Sequence, residues 1–353
     1  MQQPNAFAQR ETIKARVIDL GFCLCGVTDM APLAGYDRYT GWLAAGHHGE
    51  MSYLASERHL QMRKDPALLF PWAKSIVVLA WPYPLNRASA SAPAGQIAGY
   101  VGRQDYHLFL PQKISRLAEG LPALLGRPVQ SAVCCDSSPL LERELAVRAG
   151  LGWIGRNSCL ISPKFGSALL LAELFLDVDL PADEPFAKDL CGTCQRCLNE
   201  CPTACILPER TLDARRCISN LTIENKGTMP PALARQVGNH LFGCDICQAV
   251  CPWNRRAPAQ EKALAEMDEN EMIAALQLSQ EQFSQGYRGT AFLRSKRRGW
   301  VRNLCTVLAN LKSDAARAAL RRLAEKDTDP VCRASAAVAL AEIDTPGTIP
   351  GLD

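Results

Sequence analysis

The sequence lacks the features that mark a membrane-bound or exported protein. None of its apolar stretches reaches the roughly 18 to 20 residues that a helix needs to cross a bilayer. Its start, MQQPNAFAQRETIKARVIDLG, has no apolar core after a basic region, which a signal peptide would have. We therefore expect a cytoplasmic protein with no part in a membrane.

A strong excess of charge and the motifs that bind nucleotides are also absent. The formal net charge is +3 over 353 residues, which is too small to indicate nucleic-acid binding by itself. No P-loop and no dinucleotide-binding fingerprint is evident. Hydrophobic residues make up 48% and charged residues 21% of the chain, as in an ordinary globular protein of two or three domains.

Cysteine, in contrast, is unusually frequent, with 16 residues. Because a reducing cytosol keeps thiols from pairing, clustered cysteines there indicate metal binding rather than disulfides. Five cysteines lie in apolar surroundings, and we expect them to be small buried side chains. They are Cys23, Cys25, Cys134, Cys305 and Cys332.

Among the remaining cysteines, two runs have the spacing of iron–sulfur ligands. They are Cys191-x-x-Cys194-x-x-Cys197-x-x-x-Cys201-Pro202 and Cys244-x-x-Cys247-x-x-x-Cys251-Pro252. The first matches the run of bacterial ferredoxins, in which three cysteines converge on one cubane and the cysteine before proline ligates the other. The second run has one cysteine fewer, and Cys217 lies between the runs as a substitute.

This crossed arrangement predicts two [4Fe–4S] clusters with four cysteines each. The first cysteine set is Cys191, Cys194, Cys197 and Cys251, and the second cysteine set is Cys201, Cys217, Cys244 and Cys247. Cys205 belongs to neither set, and we expect it to be structural. Tetrahedral zinc is the alternative, since Cys-x-x-Cys pairs also bind it.

The hydrophobic pattern predicts three domains. Residues 1–180 read as an α/β (α+β) domain, 181–260 as a ferredoxin-like module, and 261–353 as a helical HEAT-like repeat. In the last region VRNLCTVLANL is echoed about 30 residues later by CRASAAVALAEI, with the amphipathic segment DAARAALRRLAEKD between them. An unrelated small helical bundle is the alternative.

Within the first domain, residues 6–20 have helical spacing and stop at Gly21. The segment GFCLCGVT, the run SIVVLAWPYP and residues 167–180 read as strands. The Ala-, Ser- and Pro-rich residues 86–98 read as a surface loop. Ser138 and Pro139 predict the start of a helix over LLERELAVRAG.

Several longer segments resemble the epoxyqueuosine reductase family over nearly the whole chain. They are HGEMSYL, RKDPALLFPWAKSIVVLAWPYP, DYH, residues 136–157 with their end GLGWIGRN, the cysteine runs, RRCISNLTIENKG and FGCDICQAVCPWN. The resemblance implies reduction of epoxyqueuosine to queuosine at the wobble position of a tRNA anticodon, the final step of queuosine biosynthesis. Two electrons and two protons would remove the epoxide oxygen as water.

The resemblance also implies a cofactor and its site. Cobalamin would bind in the N-terminal domain with its cobalt near one cluster, fed by an external low-potential electron donor. Asp136 matches the family's proton donor. The positions that the family gathers around cobalamin correspond to Arg63, Asp136, Arg156, Asn157, Ser167 and Ser219. Tyr106 and His107 are expected on the substrate side.

The residues alone leave another interpretation of Asp136 open. It lies just before the predicted helix, where an aspartate is an ordinary cap and where the helix dipole favours the ionised carboxylate. A proton donor needs the opposite, a pKa raised by burial.

Partner binding is expected at one basic segment. Arg294-Ser-Lys296-Arg297-Arg298-Gly-Trp300-Val-Arg302 combines five positive charges with an aromatic ring, which can neutralise tRNA phosphates and stack a base. A solvated helix end is the alternative. We expect a monomer that binds tRNA through its anticodon loop.

Two other functions fit the cysteine pattern. A reductive dehalogenase also couples cobalamin to two cubanes, but an export leader is missing and the basic helical tail is unexplained. A non-enzymatic electron-transfer subunit would need no large domain ahead of the cysteines.

Overall fold

The computed structural model describes residues 5–86, 94–102, 104–255 and 266–345. In these ranges the helices are α1 (Ala6–Asp19), α2 (Tyr36–Ala44), α3 (Glu57–Lys64), α4 (Tyr106–Leu125), α5 (Glu142–Arg148), α6 (Arg196–Asn199), α7 (Ile218–Ile223), α8 (Pro231–Val237), α9 (Ile246–Ala249), α10 (Glu269–Leu276), α11 (Gln280–Gly286), α12 (Lys296–Asn310), α13 (Arg317–Lys326) and α14 (Pro330–Asp344). The strands are β1 (Leu24–Thr28), β2 (Ser75–Pro82), β3 (Gly95–Ile97), β4 (Ser131–Cys134), β5 (Trp153–Ile154), β6 (Leu160–Ile161), β7 (Leu169–Leu176), β8 (His240–Phe242) and β9 (Glu266–Met267). Across the described ranges, none of these helices has the length and apolarity to cross a membrane.

A four-stranded sheet in the order β1-β2-β7-β4, antiparallel throughout, forms the centre of the N-terminal part. Side chains of β2 alternate between two cores. Val77 and Leu79 face the core built with α1 and α4, whereas Ile76 and Val78 face the core built with α5. Both faces are covered, so the strand can be apolar throughout. The predicted strands at β1, β2 and β7 are confirmed.

The ends of α1 and α4 follow from their cap residues. The side chain of Asn5 accepts the N–H of Ala8 at 2.8 Å at the start of α1, and Gly21 at φ +94° follows its end, as predicted. At the start of α4 the side chain of Asp105 accepts the N–H of His107 at 3.0 Å. This cap fixes His107 in the first turn of a long, well-packed helix.

The predicted surface loop over 86–98 is wrong in its described end, and residues 87–93 lie outside the described residues. Residues 95–97 form β3, which is buried and pairs with β8 on one side and β9 on the other. A Cβ on Gly95 would lie 2.2 Å from the side chain of Leu241. Glycine at position 95 therefore reflects close packing of a buried strand and not a surface loop.

The C-terminal helices share one core with this small sheet. Phe242 and Ile97 join Trp300, Cys305 and Cys332 in that core, and α12 and α13 both pack against α14. The prediction of five small buried cysteines is confirmed for Cys134, Cys305 and Cys332. Cys23 and Cys25 are only partly buried and pack against the sheet cores.

Two residues of the predicted tRNA-binding segment lie inside the protein, so that part of the prediction is wrong. Trp300 is 0% exposed and cannot stack a base. Arg302 is 1% exposed, and its guanidinium donates to the main-chain oxygens of Leu221, Asn225 and Gly227. Arg302 thus fastens the C-terminal helices to α7 and to the segment that follows it. Sequence spacing could not distinguish this interior arginine from its exposed neighbours.

Replacing Arg302 tests this structural role. Arg302→Met keeps most of the aliphatic volume but leaves three main-chain oxygens without their donor, so we expect the free energy of unfolding to fall by about 3 kcal/mol. Urea unfolding followed by far-UV circular dichroism measures it. Lys296→Met, at an exposed position of the same helix, is the control and should change stability by less than about 0.5 kcal/mol. Equal effects of the two variants would contradict the assignment.

Candidate functional site

The first cysteine set surrounds one cavity. Its four members line a space of about 230 Å³ together with Arg156, Asn157 and Trp253. Trp153 donates its indole N–H to the Sγ of Cys191 at 3.4 Å and packs edge-on against Trp253. Among the described residues, no three His, Cys, Asp or Glu side chains are placed to hold a single metal ion. Thiols arranged around a space, with an aromatic wall and an N–H directed at sulfur, suit a cubane.

Two members of the second cysteine set lie in poorly hydrated surroundings. Burial raises the pKa of Cys244 to about 12 and raises the pKa of Cys247 well above its usual range. Cys217 is at the N-terminus of α7, where the main-chain N–H groups of Ser219 and Asn220 donate to its sulfur. As free thiols Cys244 and Cys247 would stay protonated at neutral pH, so metal binding at this set must release protons.

Cys205 and Cys159 also lie in this region, although neither was predicted to have a cluster role. The Sγ of Cys205 is 3.5 Å from the Sγ of Cys201. Burial raises the pKa of Cys159 to about 11, with Cys217 and Cys251 among its charged neighbours. No spacing rule could have found these two contacts, because both cysteines fall outside the ligand runs.

The loop that carries Asp136 differs from the prediction. Helix α5 begins at Glu142, so Ser138 does not cap it and Asp136 lies six residues ahead of it. Asp136 has φ +54° and donates its main-chain N–H to the Oε1 of Glu142 at 2.7 Å. Because this bond holds Asp136 in a left-handed backbone conformation, a helix cannot start at the predicted position, Ser138. The helix-cap interpretation of Asp136 is therefore excluded.

Three side chains next to this loop form the histidine triad, which consists of Asp105, His107 and Asp136. The Nδ1 of His107 is 2.6 Å from the Oδ1 of Asp105, and its Nε2 is 2.9 Å from the Oδ2 of Asp136. Burial alone would lower the pKa of His107, but its hydrogen bonds to the two carboxylates raise the pKa to about 9. The triad therefore contains an imidazolium at neutral pH.

Asp136 is ionised for the same reason. Burial favours its neutral acid, but the hydrogen bond and charge of His107 outweigh burial and hold the pKa of Asp136 below its usual range. The side chain of Asp136 remains 51% exposed. Tyr106 stacks on the His107 ring at 4.0 Å between centroids and supports its orientation.

A buried carboxyl pair, Glu142 and Glu173, lies behind this loop. Glu173 is 0% exposed on β7, on the face covered by α5. Neither of its carboxyl oxygens has a donor among the described residues, and the Glu142 carboxyl is within hydrogen-bonding reach. Burial raises the pKa of Glu142 to about 7 and that of Glu173 well above its usual range. One proton must therefore be shared between them.

Three predicted cofactor-binding residues carry buried donors with no partner in the described chain. The atoms are the Nε of Arg63, the Nε of Arg156 and the Nδ2 of Asn157. Arg63 also donates to the main-chain oxygen of Leu140 in the Asp136 loop at 2.5 Å. Arg156 donates to that of Gly192 beside the first cysteine set at 2.9 Å.

Ser167 and Ser219, the other two residues predicted to bind the cofactor, do not have unpartnered buried donors of this kind. Ser167 is 3% exposed; its Oγ donates to the Oε1 of Gln248 at 3.0 Å and accepts from Asn254 at 2.9 Å. Ser219 is half-buried two residues after Cys217 and contacts that cysteine through its main chain. These two serines belong to the supports of the cysteine loops.

A row of aromatic rings connects the second cysteine run with the histidine triad. Gln248, between two predicted ligands, donates to the hydroxyl of Tyr83 at 2.9 Å. From Tyr83 the rings follow at centroid distances of 6.3 Å to Tyr100 and 6.2 Å to Tyr106. The triad and the cysteine module thus form one continuous site.

Contrary to the expectation from the sequence, the Gly-x-Gly-x-x-Gly order does occur, in the segment GLGWIG, but this segment does not have the structure of the fingerprint. It follows α5 and contains β5 instead of opening a helix, so it is no dinucleotide-binding loop. A Cβ on Gly152 would lie 2.1 Å from the main-chain oxygen of Ile161. Glycine is needed here for the close pairing of β5 with β6, which positions Arg156 and Asn157.

Comparison with known proteins identifies the family of the chain. Residues 63–137 match the family described as epoxyqueuosine reductase QueG, DUF1730. A relative from Cyclobacterium marinum named epoxyqueuosine reductase is 39% identical over 83% of this chain and 95% of its own. One from Pseudomonas aeruginosa is 38% identical over 89% of this chain and 88% of its own. The chain belongs to the epoxyqueuosine reductase family.

The epoxyqueuosine reductase fold extends over the whole chain. A crystal structure of epoxyqueuosine reductase with a tRNA-Tyr epoxyqueuosine-modified tRNA stem loop aligns with a TM-score of 0.87 at 29% identity, covering 96% of this chain and 91% of that one. A structure of epoxyqueuosine reductase from Bacillus subtilis aligns with a TM-score of 0.86 at 29% identity, covering 97% of this chain and 92% of that one. In that structure a catalytic loop with an aspartate is swung out of the active site.

Two further matches confirm other parts of the sequence prediction for this epoxyqueuosine reductase family member. Residues 190–254 match a 4Fe-4S double cluster binding domain, and residues 292–353 match HEAT repeats. The chain is therefore an oxidoreductase with a mixed helix and sheet fold, a double cluster domain and HEAT-like helices. The small-bundle alternative for the C-terminal helices is excluded.

The carboxyl pair was missed by the sequence analysis. Its signal was available, because Glu173 is the one charged residue of LLLAELFL, a strand that is otherwise apolar. An ionisable residue that interrupts such a run is costly unless it has a partner. Glu142 could not be identified as that partner, since the two are far apart in sequence.

The shared proton predicts a dependence of stability on pH. A glutamate of the unfolded chain loses its proton near pH 4.5, whereas Glu142 retains it to about pH 7. Between these two pH values the folded state thus binds more protons than the unfolded chain, so the free energy of unfolding must fall as the pH rises through this range. For the unmodified chain we expect the free energy of unfolding to fall by about 2 kcal/mol between pH 5 and 8. Glu173→Gln supplies a permanent amide donor, so we expect this variant to lose at least half of that pH dependence.

Urea unfolding at a series of pH values measures the difference. Glu119→Gln, at an exposed position on α4, is the control and should run parallel to the unmodified chain. The contribution of His107 is present in every variant and cancels in the comparison. Parallel curves for Glu173→Gln and the unmodified chain would show that no proton is shared.

Proposed function

We propose that this family member reduces epoxyqueuosine to queuosine at the wobble position of tRNA, the last step of queuosine biosynthesis. Cobalamin would bind in the part of the chain formed by residues 1–180, the clusters in residues 181–260, and tRNA partly on residues 261–353. One observation carries the proposal. The cavity of the first cysteine set shares its wall with Arg156 and Asn157, whose buried donors have no partner in the described chain.

These donors fit cobalamin. A corrin ring has a fringe of amide groups whose oxygens accept hydrogen bonds, and a buried donor left without a partner costs free energy until such a ligand arrives. Arg63 adds a third donor of this kind next to the Asp136 loop. The residues that would hold the cofactor therefore lie both beside the Asp136 loop and beside the first cysteine set.

The two cysteine sets would hold the clusters. Trp153 directs its N–H at Cys191, and the N-terminus of α7 directs two N–H groups at Cys217, so both sets offer donors to thiolate sulfur. When bound, the clusters and cobalamin would supply the two electrons that removal of the epoxide oxygen requires. An external low-potential donor would replenish these electrons.

The histidine triad would supply a proton. His107 holds it on Nε2, against the Oδ2 of Asp136, and the second carboxylate, Asp105, fixes the ring from the other side. Asp136 presents the more exposed end of the triad, so it is the group that passes the proton to the substrate oxygen. This arrangement resolves the conflict with the low pKa of Asp136, because His107 stores the proton that Asp136 delivers.

A basic groove between α7 and α12 would bind tRNA phosphates. It has a volume of about 880 Å³ and is lined by cations that include Arg294, Arg297 and Arg298. Each of these three arginines forms an ion pair, with Glu224, Asp327 and Asp329 respectively. Lys226, Lys296 and Lys326 also line the groove, and no described acid pairs with them. The lysines are thus the cations available to phosphate.

Replacing Asp136 tests the proton delivery. Asp136→Asn keeps the shape but cannot pass on a proton, so we expect conversion of epoxyqueuosine-containing tRNA to fall by about 100-fold or more. Iron, sulfide and corrinoid content should stay unchanged. Asp37→Asn, an exposed aspartate on α2, is the control. A chain that only relayed electrons would contain no corrinoid and would tolerate the substitution.

Reversing one groove charge tests the tRNA surface. Lys296→Glu removes an unpaired cation and should weaken tRNA binding and lower the slope of log affinity against log salt by about 1. Filter binding at a series of salt concentrations measures both. Arg321→Glu makes the same charge change at an exposed site on α13 outside the groove. An equal loss in both variants would show that only overall charge matters.

A further inference from the structure

Cys205 is buried but does not belong to any hydrophobic core among the described residues. It is 3% exposed, yet none of the five apolar clusters includes it. Cys134, Cys305 and Cys332, in contrast, all pack within such clusters. The ordinary explanation of a buried cysteine as a small apolar side chain therefore does not apply to Cys205.

Its contacts are instead with two members of the second cysteine set. The Sγ of Cys205 lies 3.5 Å from the Sγ of Cys201, and its thiol also hydrogen-bonds to that of Cys217. Cys201 and Cys217 come from separate segments of the chain. Cys205 thus fills the space between two thiols that would bind one cluster.

The backbone fixes Cys205 in this place. Ala204 has φ +46°, and its N–H donates to the oxygen of Cys201 at 3.0 Å, which turns the chain back on itself. The oxygen of Cys205 then accepts the N–H of Asp213 at 2.8 Å. This turn brings the Cys201 and Cys205 side chains next to each other, with their sulfurs 3.5 Å apart.

We propose that Cys205 is a reserve ligand of the second cluster, able to replace Cys201 at its iron. This rests on the cluster assignment proposed above. In the exchange, a bond forms between the Cys205 sulfur and iron while the bond to Cys201 breaks, and the proton of the Cys205 thiol passes to the Cys201 sulfur. The oxidation state of the cluster does not change.

Iron and sulfide content of the anaerobically reconstituted full chain tests the exchange. The unmodified chain should contain about eight irons, four in each cubane. Cys201→Ala should also keep about eight, since Cys205 takes the vacant position, whereas the double variant with Cys205→Ala should keep about four. Retention of only about four irons by Cys201→Ala would overturn the proposal.

Cys194→Ala is the matched control. Cys194 belongs to the first cysteine set, whose cavity contains no fifth cysteine among its described lining residues. This variant should fall to about four irons. If the unmodified chain holds no clusters at all, the proposed function fails instead, and the two failures are thereby distinguished.

Should Cys201→Ala not fold, Cys205→Ala gives a second measurement, because it leaves all eight predicted ligands in place. A reserve thiol recaptures iron whenever Cys201 dissociates. We therefore expect a chelator to remove iron from the second cluster several-fold faster in Cys205→Ala than in the unmodified chain. Equal rates of iron loss would refute the reserve role.

Discussion

The proposed clusters require eight thiols from three separate segments to meet in two small volumes, and this requirement bears on the rest of the structure. Burial opposes ionisation of Cys244 and Cys247, and neighbouring thiolates repel one another. The apoprotein can hold such groups together only if the surrounding chain is fixed by other bonds. The interior arginine of α12 provides some of them, since it binds the main chain just after α7 and so anchors the segment between the second set's ligands.

In the neighbouring site, too, each ionisable group lies next to partners that offset its charge or share its proton. The imidazolium of His107 lies between two carboxylates, and the carboxyl pair shares a single proton. The Asp136 loop connects these two groups, because its side chain contacts one and its main chain contacts the other. Movement of this loop would break both contacts together, so these contacts hold Asp136 in place until the loop moves as a unit.

The sequence predicted those parts of the molecule that depend on local spacing. Cysteine intervals indicated the double cluster domain, and continuous apolar runs predicted β2 and β7, because both signals are repeated within a few residues. The prediction from sequence failed where a contact between residues far apart in the chain determines the local structure. The helix expected at Ser138 is displaced by the bond between Asp136 and Glu142, and Trp300 is buried by a sheet whose strands come from distant segments. The resemblance to a family indicated Arg63, Arg156 and Asn157, but no local spacing could show that their donors are buried without partners in the described chain.

The three-stranded sheet β8-β3-β9 has a consequence for the synthesis of the chain. Its central strand is made first, at Gly95–Ile97, but its neighbours at His240–Phe242 and Glu266–Met267 leave the ribosome much later. Until then the strand has two open edges, which must be shielded from pairing with other chains. Translation therefore passes through the entire cysteine module before this sheet can close. Iron delivered during synthesis would reach thiols whose final scaffold does not yet exist.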